Sequence, residues 1–404
     1  MFSRFSLKNL LALLTMILFI GVPAQAQTTV DASRGGVTIS SGNNSLTLGA
    51  RAQFRWTVDD REQFDADTTG SGLGMEDGAA SSFDIPRLRI TLSGGYESWL
   101  KYSFQFEMSR TSGDGGSRIK DAIIEIRPAN PHYRIVMGQF KAPFGLQQFT
   151  SSGRQQFVDR AITDGKFTPG RDMGVMLSGT AASQKLGYAI GIFNGAGESR
   201  LQNNQNHLVT GRVFVNPLGA YSLSEGSGDV NGSVLHLGFG ALTGTQIRGR
   251  TAAGVFQNPD NQTAYDVEFA FKAPWIFSTA EYFWMTDEQQ NPVAGPDIES
   301  QGYHAQIGFM VVPRIVELGV RYAQVDGDRD VDDSTLSEIR GVLGYYWHGH
   351  NAKIQADVGK LLYDSAFATL SSRARSGLPR LGTRLVSGQS LSDTQFRLQF
   401  QVAF

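Results

Sequence analysis

The sequence has no cysteine in 404 residues, which excludes a disulfide-stapled fold and any thiolate-bound metal. Proline is sparse, at 13 positions, so little interrupts extended backbone. Basic residues are not in surplus: 36 Lys and Arg stand against 38 Asp and Glu, a balance that predicts no nucleic-acid partner. After the N-terminal segment, no stretch approaches the roughly 18–20 consecutive apolar residues of a spanning helix. A chain that crosses a membrane without such a stretch must do so with strands.

The N-terminus reads as a secretory signal peptide over residues 1–26. Arg4 and Lys8 precede an apolar run from Leu10 to Val22, and Ala24-Gln25-Ala26 is a small-x-small cleavage site. A short N-terminal anchor is the alternative. Cleavage after Ala26 leaves 404 − 26 = 378 residues carrying 34 − 38 = −4 charges, since the segment removes two basic residues and no acidic ones. The chain is rich in glycine (47) and phenylalanine (26), and aromatics make up 11%. That composition suits many strands, tight turns and two interfacial aromatic girdles.

The clearest strand is the last. Phe396, Leu398, Phe400, Val402 and Phe404 share one face, and Gln395, Arg397, Gln399 and Gln401 share the other, the period of two that a strand imposes. A terminal strand closing on Phe404 resembles the assembly signal of bacterial outer-membrane barrels, and so implies the barrel-assembly machinery as a partner. Strands of the same kind are expected at 45–56, 85–95, 99–109, 119–128, 133–140, 172–180, 186–193, 207–216, 233–243, 263–272, 275–286, 301–312, 314–325, 335–347, 351–362 and 392–404. The expected fold is all-β, a sixteen-stranded antiparallel transmembrane barrel over 45–404, with 27–44 as an N-terminal arm or short strand. A soluble sandwich would also alternate, but charges recur on nearly every polar face and aromatics tip the apolar ones. Connections alternate short and long, with long outer loops at 57–84, 141–171, 244–262, 287–300 and 363–391. One connection, 217–232, is long for a periplasmic turn: either a strand pair is misplaced there or the turn carries extra residues.

A barrel of about sixteen strands encloses an aqueous channel, so its inward residues set its function. The first five strands place Arg51, Arg55, Arg87, Arg89, Lys101, Arg127 and Arg134 on polar faces against Glu107, Asp121 and Glu125. Cationic linings favour anions; the alternative is that these arginines pair with lumenal carboxylates and only hold the wall. The third outer loop, about 141–171, adds Lys141, Arg154, Arg160, Lys166 and Arg171. It either folds inward as a constriction or caps the mouth, and Phe144, Phe149, Phe157 and Phe167 are its candidate anchors. Loop 363–391, with Arg373, Arg375, Arg380 and Arg384, either collects anions at the mouth or contacts lipopolysaccharide phosphates.

Gly138-Gln139-Phe140-Lys141-Ala142-Pro143-Phe144-Gly145-Leu146, then Thr150-Ser151-Ser152, Phe157-Val158-Asp159-Arg160 and Gly170-Arg171-Asp172-Met173-Gly174-Val175 resemble the phosphate-selective porin O/P family. Arg87-Leu88-Arg89 and Gly191-Ile192-Phe193-Asn194-Gly195 extend the likeness. The resemblance implies a trimeric porin of the Gram-negative outer membrane with an inward third loop, drawing phosphate or polyphosphate along an arginine ladder to a lysine-bearing constriction. Arg51, Arg55, Arg87 and Arg89 stand as ladder steps, and Lys141 and Lys166 as the loop lysines; no lysine cluster accompanies them.

Other constellations carry less. Asp326, Asp328, Asp330, Asp332 and Asp333 form an acidic tip without the glycine and glutamate of an EF-hand loop, and the acids of the first outer loop read the same way. His348 and His350 alone are a weak zinc signal. No phosphate loop, nucleophile elbow or zincin motif occurs, so neither a cofactor nor an enzyme is expected. Two readings other than an anion channel remain: a surface or adhesive barrel whose loops close the lumen, and a general porin without preference.

Overall fold

A computed structural model describes residues 28–32, 36–62, 79–109, 118–128, 132–200, 206–226, 228–246, 260–288, 296–379 and 388–404. The signal segment 1–26 lies outside them. The structure is a closed antiparallel barrel. Two short strands, β1 (Thr28–Asp31) and β2 (Val37–Ser41), precede the wall. The wall is formed by β3 (Asn44–Arg61), β4 (Ala79–Tyr96), β5 (Leu100–Glu107), β6 (Arg118–Ile126), β7 (Arg134–Lys141), β8 (Arg171–Ala181), β9 (Leu186–Phe193) and β10 (Leu208–Val215). It continues through β11 (Val234–Gln246), β12 (Asp260–Ala273), β13 (Ile276–Glu288), β14 (Ile298–Val312), β15 (Val316–Asp326), β16 (Thr335–Tyr346), β17 (Ala352–Tyr363) and β18 (Leu391–Ala403). Each wall strand pairs with its neighbours in sequence, and β18 closes on β3 from Ala403↔Arg51 to Asp393↔Arg61.

Sixteen wall strands are what the alternation of the sequence predicts, each within a few residues of its expected place. β3 and β4 run further outward than expected, to Arg61 and from Ala79. β3 also has two partners along one edge. Its first residues pair with β2 and the rest with β18. The β2–β3 turn needs only Gly42 and Asn43, and Gly42 supplies the positive φ of 58° that such a two-residue hairpin demands. Phe404 and Ala50 exchange both backbone hydrogen bonds, at 2.9 and 3.0 Å, which fastens the last residue into the seam.

The outer wall is the apolar face of each strand. Val320, Leu318, Ile339, Leu343, Val358 and Phe400 are exposed there, as expected where lipid replaces water. Aromatics gather at both ends of the wall. Tyr282, Trp284, Tyr303 and Tyr322 form a chain of ring contacts near the outer rim, and Tyr345, Trp347 and Phe400 form another near the periplasmic rim. No described helix is long and apolar enough to cross a membrane; the strands do so. The 217–232 connection is a true turn between β10 and β11 that carries extra residues, so no strand pair is misplaced.

Candidate permeation pathway

The lumen is not evenly filled. After β7 the chain turns inward at Gly145, whose φ of 80° no side chain would tolerate well. It forms two short helices, α1 (Leu146–Phe149) and α2 (Ile162–Phe167). Glu281 of β13 accepts the backbone N–H groups of Leu146 and of Gln147, the latter at 3.0 Å, satisfying donors that a helix start leaves open. Phe144 and Phe167 pack on the inward Phe283 of β13, with Phe167 stacked at 5.2 Å. Between the helices the segment crosses the lumen. Lys353 donates to the Gln155 carbonyl at 2.8 Å, Gln355 to the Gln156 carbonyl at 2.7 Å, and Val158 N–H to Asp357 at 3.2 Å. Arg321 donates to the Asp159 carbonyl at 2.9 Å and lies over the Phe157 ring at 4.4 Å.

The turn after β10 fills the same side from below. Its Glu225 carboxylate accepts from Gln147 Nε2 (2.9 Å), Gln156 N–H (2.8 Å) and Gln306 Nε2 (3.0 Å). Asp229 meets the buried Lys272 at 3.2 Å. The long turn therefore meets the inward loop inside the barrel, and together they occupy the half lined by β10–β17.

The other half, lined by β3–β8, holds water-accessible space. A central cavity of about 540 Å³ is lined by seven basic residues, Arg87, Arg89, Lys120, Arg134, Lys141, Arg160 and Arg171, against four acids, Asp121, Glu125, Asp164 and Glu198. Toward the outer mouth, a cavity of about 240 Å³ lies instead beside β16–β18 and the outer end of β3, lined by Arg61, Glu338, Arg340 and Arg397, and shares Arg160 with the central one. Toward the periplasm, one of about 260 Å³ shares Arg89, Gln105 and Ser151. Arg160 thus borders both the central and the outer cavity, and Arg89 both the central and the periplasmic one.

Several lining cations are paired: Arg171–Asp121 at 2.8 Å, Lys120–Glu198 at 2.8 Å and Arg89–Glu107 at 2.7 Å. Arg55, Arg87 and Arg397 share one carboxylate, Asp159 of the loop, at 2.8, 2.9 and 3.2 Å. Burial alone would raise that carboxyl, but the three guanidiniums outweigh it and hold Asp159 far below the usual carboxylate range. Of the cations lining the three cavities, Arg51, Arg134, Lys141 and Arg154 meet no carboxylate among the described ion pairs. Arg51 donates to the Ser151 and Ser152 hydroxyls at 3.0 and 3.1 Å, Arg134 to Ser178 at 3.0 Å, and Lys141 to the carbonyls of Gln148, Phe149 and Thr150.

The residues singled out in the sequence divide accordingly. Arg87, Arg89, Arg134, Lys141, Arg160 and Arg171 border the central cavity, and Arg51, Arg89 and Arg154 the periplasmic one. Arg55 is buried on Asp159 and Gln399. Lys166 does not reach the pathway. α2 turns it outward, and its buried ammonium donates to the Ala374 carbonyl at 2.7 Å. Lys101 and Arg127 lie near the periplasmic ends of β5 and β6, outside all three cavities, and Arg127 is ion-paired with Glu125. Loop 363–391 is described as far as residue 379 and again from 388. Its described part buries Phe367, Leu370, Ala374 and Leu378 against the inward loop, and Arg373 pairs with Asp287 at 2.9 Å. Arg380 and Arg384 lie outside the described residues.

Four lining cations were not among the candidate site residues: Arg61, Lys120, Arg340 and Arg397. Arg397 lay on a recognised polar face. Lys120 was hidden by a β-bulge: Gln105 pairs with Asp121 and Phe106 with Ile119, skipping Lys120. Lys120 and Asp121 both reach the cavity despite being adjacent, which strict alternation forbids.

Comparison with known proteins decides the family. The model of the phosphate-selective porin O and P family matches residues 58–371. The chain belongs to this family. It is accordingly an outer-membrane porin barrel. Solved structures of similar fold include the anion-selective porin from Comamonas acidovorans, at 14% identity and TM-score 0.55, covering 89% of this chain and 100% of that one. The loop L8 deletion mutant of OmpT of Vibrio cholerae gives 11% identity and TM-score 0.56, covering 90% and 100%. The outer membrane channel DcaP of Acinetobacter baumannii gives 11% and 0.52, covering 89% and 97%. No curated protein matches the sequence.

Proposed function

We propose that this porin passes small anions by passive diffusion through the half of its lumen lined by β3–β8. The observation that carries this reading is the basic excess of the central cavity, seven cations to four acids, together with Arg51, Arg134 and Lys141, which satisfy themselves on hydroxyls and carbonyls. Such cations keep their field for a passing anion, whereas an ion-paired arginine has largely spent it. Arg160 and Arg89, which each border two of the cavities, are the proposed steps from one to the next. Phosphate is the proposed preferred solute. The family supports it, and so does the pairing of Arg51 with two serine hydroxyls, since guanidinium and hydroxyl donors suit a tetrahedral oxyanion.

The proposed assembly is a homotrimer in lipid and lipopolysaccharide, inserted through recognition of the strand ending at Phe404. No catalytic step belongs to this reading. Purified protein in a planar bilayer tests it. A KCl gradient gives a reversal potential of anionic sign, and added phosphate blocks part of the chloride current. A silent barrel restores the closed, surface-exposed alternative, and a potential near zero restores a general porin.

A further inference from the structure

We propose that Asp266, Glu268 and Glu281 hold a hard divalent cation, calcium or magnesium, inside the filled half of the lumen, where it ties the start of α1 to the wall. The ligand oxygens of the three carboxylates lie within 4.8 Å of one another, the spread that oxygens around one ion at about 2.0–2.6 Å can have. All three side chains are buried on the inward face of β12 and β13. Neither oxygen of Asp266, which is 0% exposed, has a hydrogen-bond partner. A carboxylate so placed needs a counter-charge or a proton.

Its neighbours do not provide the counter-charge. Arg212 is committed to Glu268 through two contacts, of 2.7 and 2.5 Å. His236 Nε2 lies 3.0 Å from Glu268 and 3.2 Å from Arg212, and its Nδ1 lies 2.8 Å from Asn216 Oδ1, so His236 too is engaged with Glu268 rather than with Asp266. Glu281 accepts two N–H groups of α1, and His304 Nε2 lies 3.3 Å from it. None of these groups reaches Asp266, and a divalent cation among the three carboxylates supplies the missing counter-charge. The wall is also shaped for this arrangement. Gly238 and Gly240 stand opposite Glu268 and Asp266 on β11, and a Cβ there would meet their carboxylate oxygens at 2.2 and 1.9 Å. Glycine at both positions leaves the two carboxylates room to lie together, and a Cβ would make them shift. The site does not depend on the anion reading; a porin without selectivity would hold the ion equally well.

The test is equilibrium dialysis of the EDTA-stripped, detergent-solubilised barrel against CaCl2 and then MgCl2. Bound metal is read by atomic emission and unfolding by circular dichroism. The expected result is one tightly held equivalent and a raised midpoint. Both survive in a variant with Asp328→Asn, Asp330→Asn and Asp332→Asn, which removes the exposed acidic tip, and both are lost in Asp266→Asn, whose amide keeps the side-chain volume. Absence of a stoichiometric equivalent in wild type overturns the proposal and leaves Asp266 protonated. Retention of that equivalent by Asp266→Asn also overturns it. Should Asp266→Asn fail to fold, the wild type and the tip variant still decide: a tight equivalent in both supports the site, and its loss in the tip variant refutes it.

Discussion

The two halves of the lumen are built from the same strand pattern and do opposite things. Along β10–β17 the inward charges are locked. Arg321 and Arg340 share Glu338 at 2.5 and 2.9 Å, Arg340 and Arg397 of β18 share Asp357, and the loop backbone fills the space between except at the outer cavity, which Glu338, Arg340 and Arg397 border as ion-paired groups. Along β3–β8 the inward cations face space, and several rest on neutral acceptors. A lumenal charge therefore acts on solutes only where no loop covers it. In the filled half such charges support the fold.

Substitutions can break this comparison. The largest effect is expected from Arg321→Ala in the filled half. It strips Glu338 of one partner, removes the bond to the Asp159 carbonyl and uncovers Phe157. Breaking a buried pair costs about 3–5 kcal/mol, so the unfolding midpoint should fall sharply while ion selectivity of the folded fraction stays unchanged. Asp159→Asn lies at the border of the halves. Its side chain is 29% exposed, so a smaller loss, about 2–3 kcal/mol, is expected. It frees Arg55, Arg87 and Arg397, and the reversal potential should move further toward the anion value. Arg51→Ala combined with Arg134→Ala in the open half should cost about 1–2 kcal/mol, because the two lose three partly solvated bonds to hydroxyls and leave no carboxylate unpaired. It should nonetheless shift the reversal potential clearly toward cations. Arg329→Ala, which removes an exposed rim pair with Glu299 at 3.0 Å, should change stability by about 0–1 kcal/mol and leave conduction alone. A stability loss from the Arg51 and Arg134 pair as large as that from Arg321 would erase the distinction between the halves.

Much of the wall was legible because a half-buried strand repeats every two residues and the barrel repeats that pattern sixteen times. The strand ending at Phe404 lies where its alternation places it. What period two cannot encode is what covers a face. Nothing in the spacing of Lys166 says that α2 turns it toward Ala374, away from water. Likewise, Glu225 reads as an ordinary turn acid until the turn meets the inward loop. Where a bulge breaks the period, as at Lys120, the sequence assigns the wrong face. The convergence of the acids at 266, 268 and 281 is a matter of register, Glu268↔Glu281 across β12 and β13, which one strand's sequence does not carry.

The most direct test of the account is the zero-current potential of single porin insertions in a KCl gradient, measured first for the wild type and then for Arg51→Ala with Arg134→Ala. An anionic sign that weakens in the double variant is the predicted result. A cationic sign in the wild type would contradict the claim that the open, basic half of the lumen is the path.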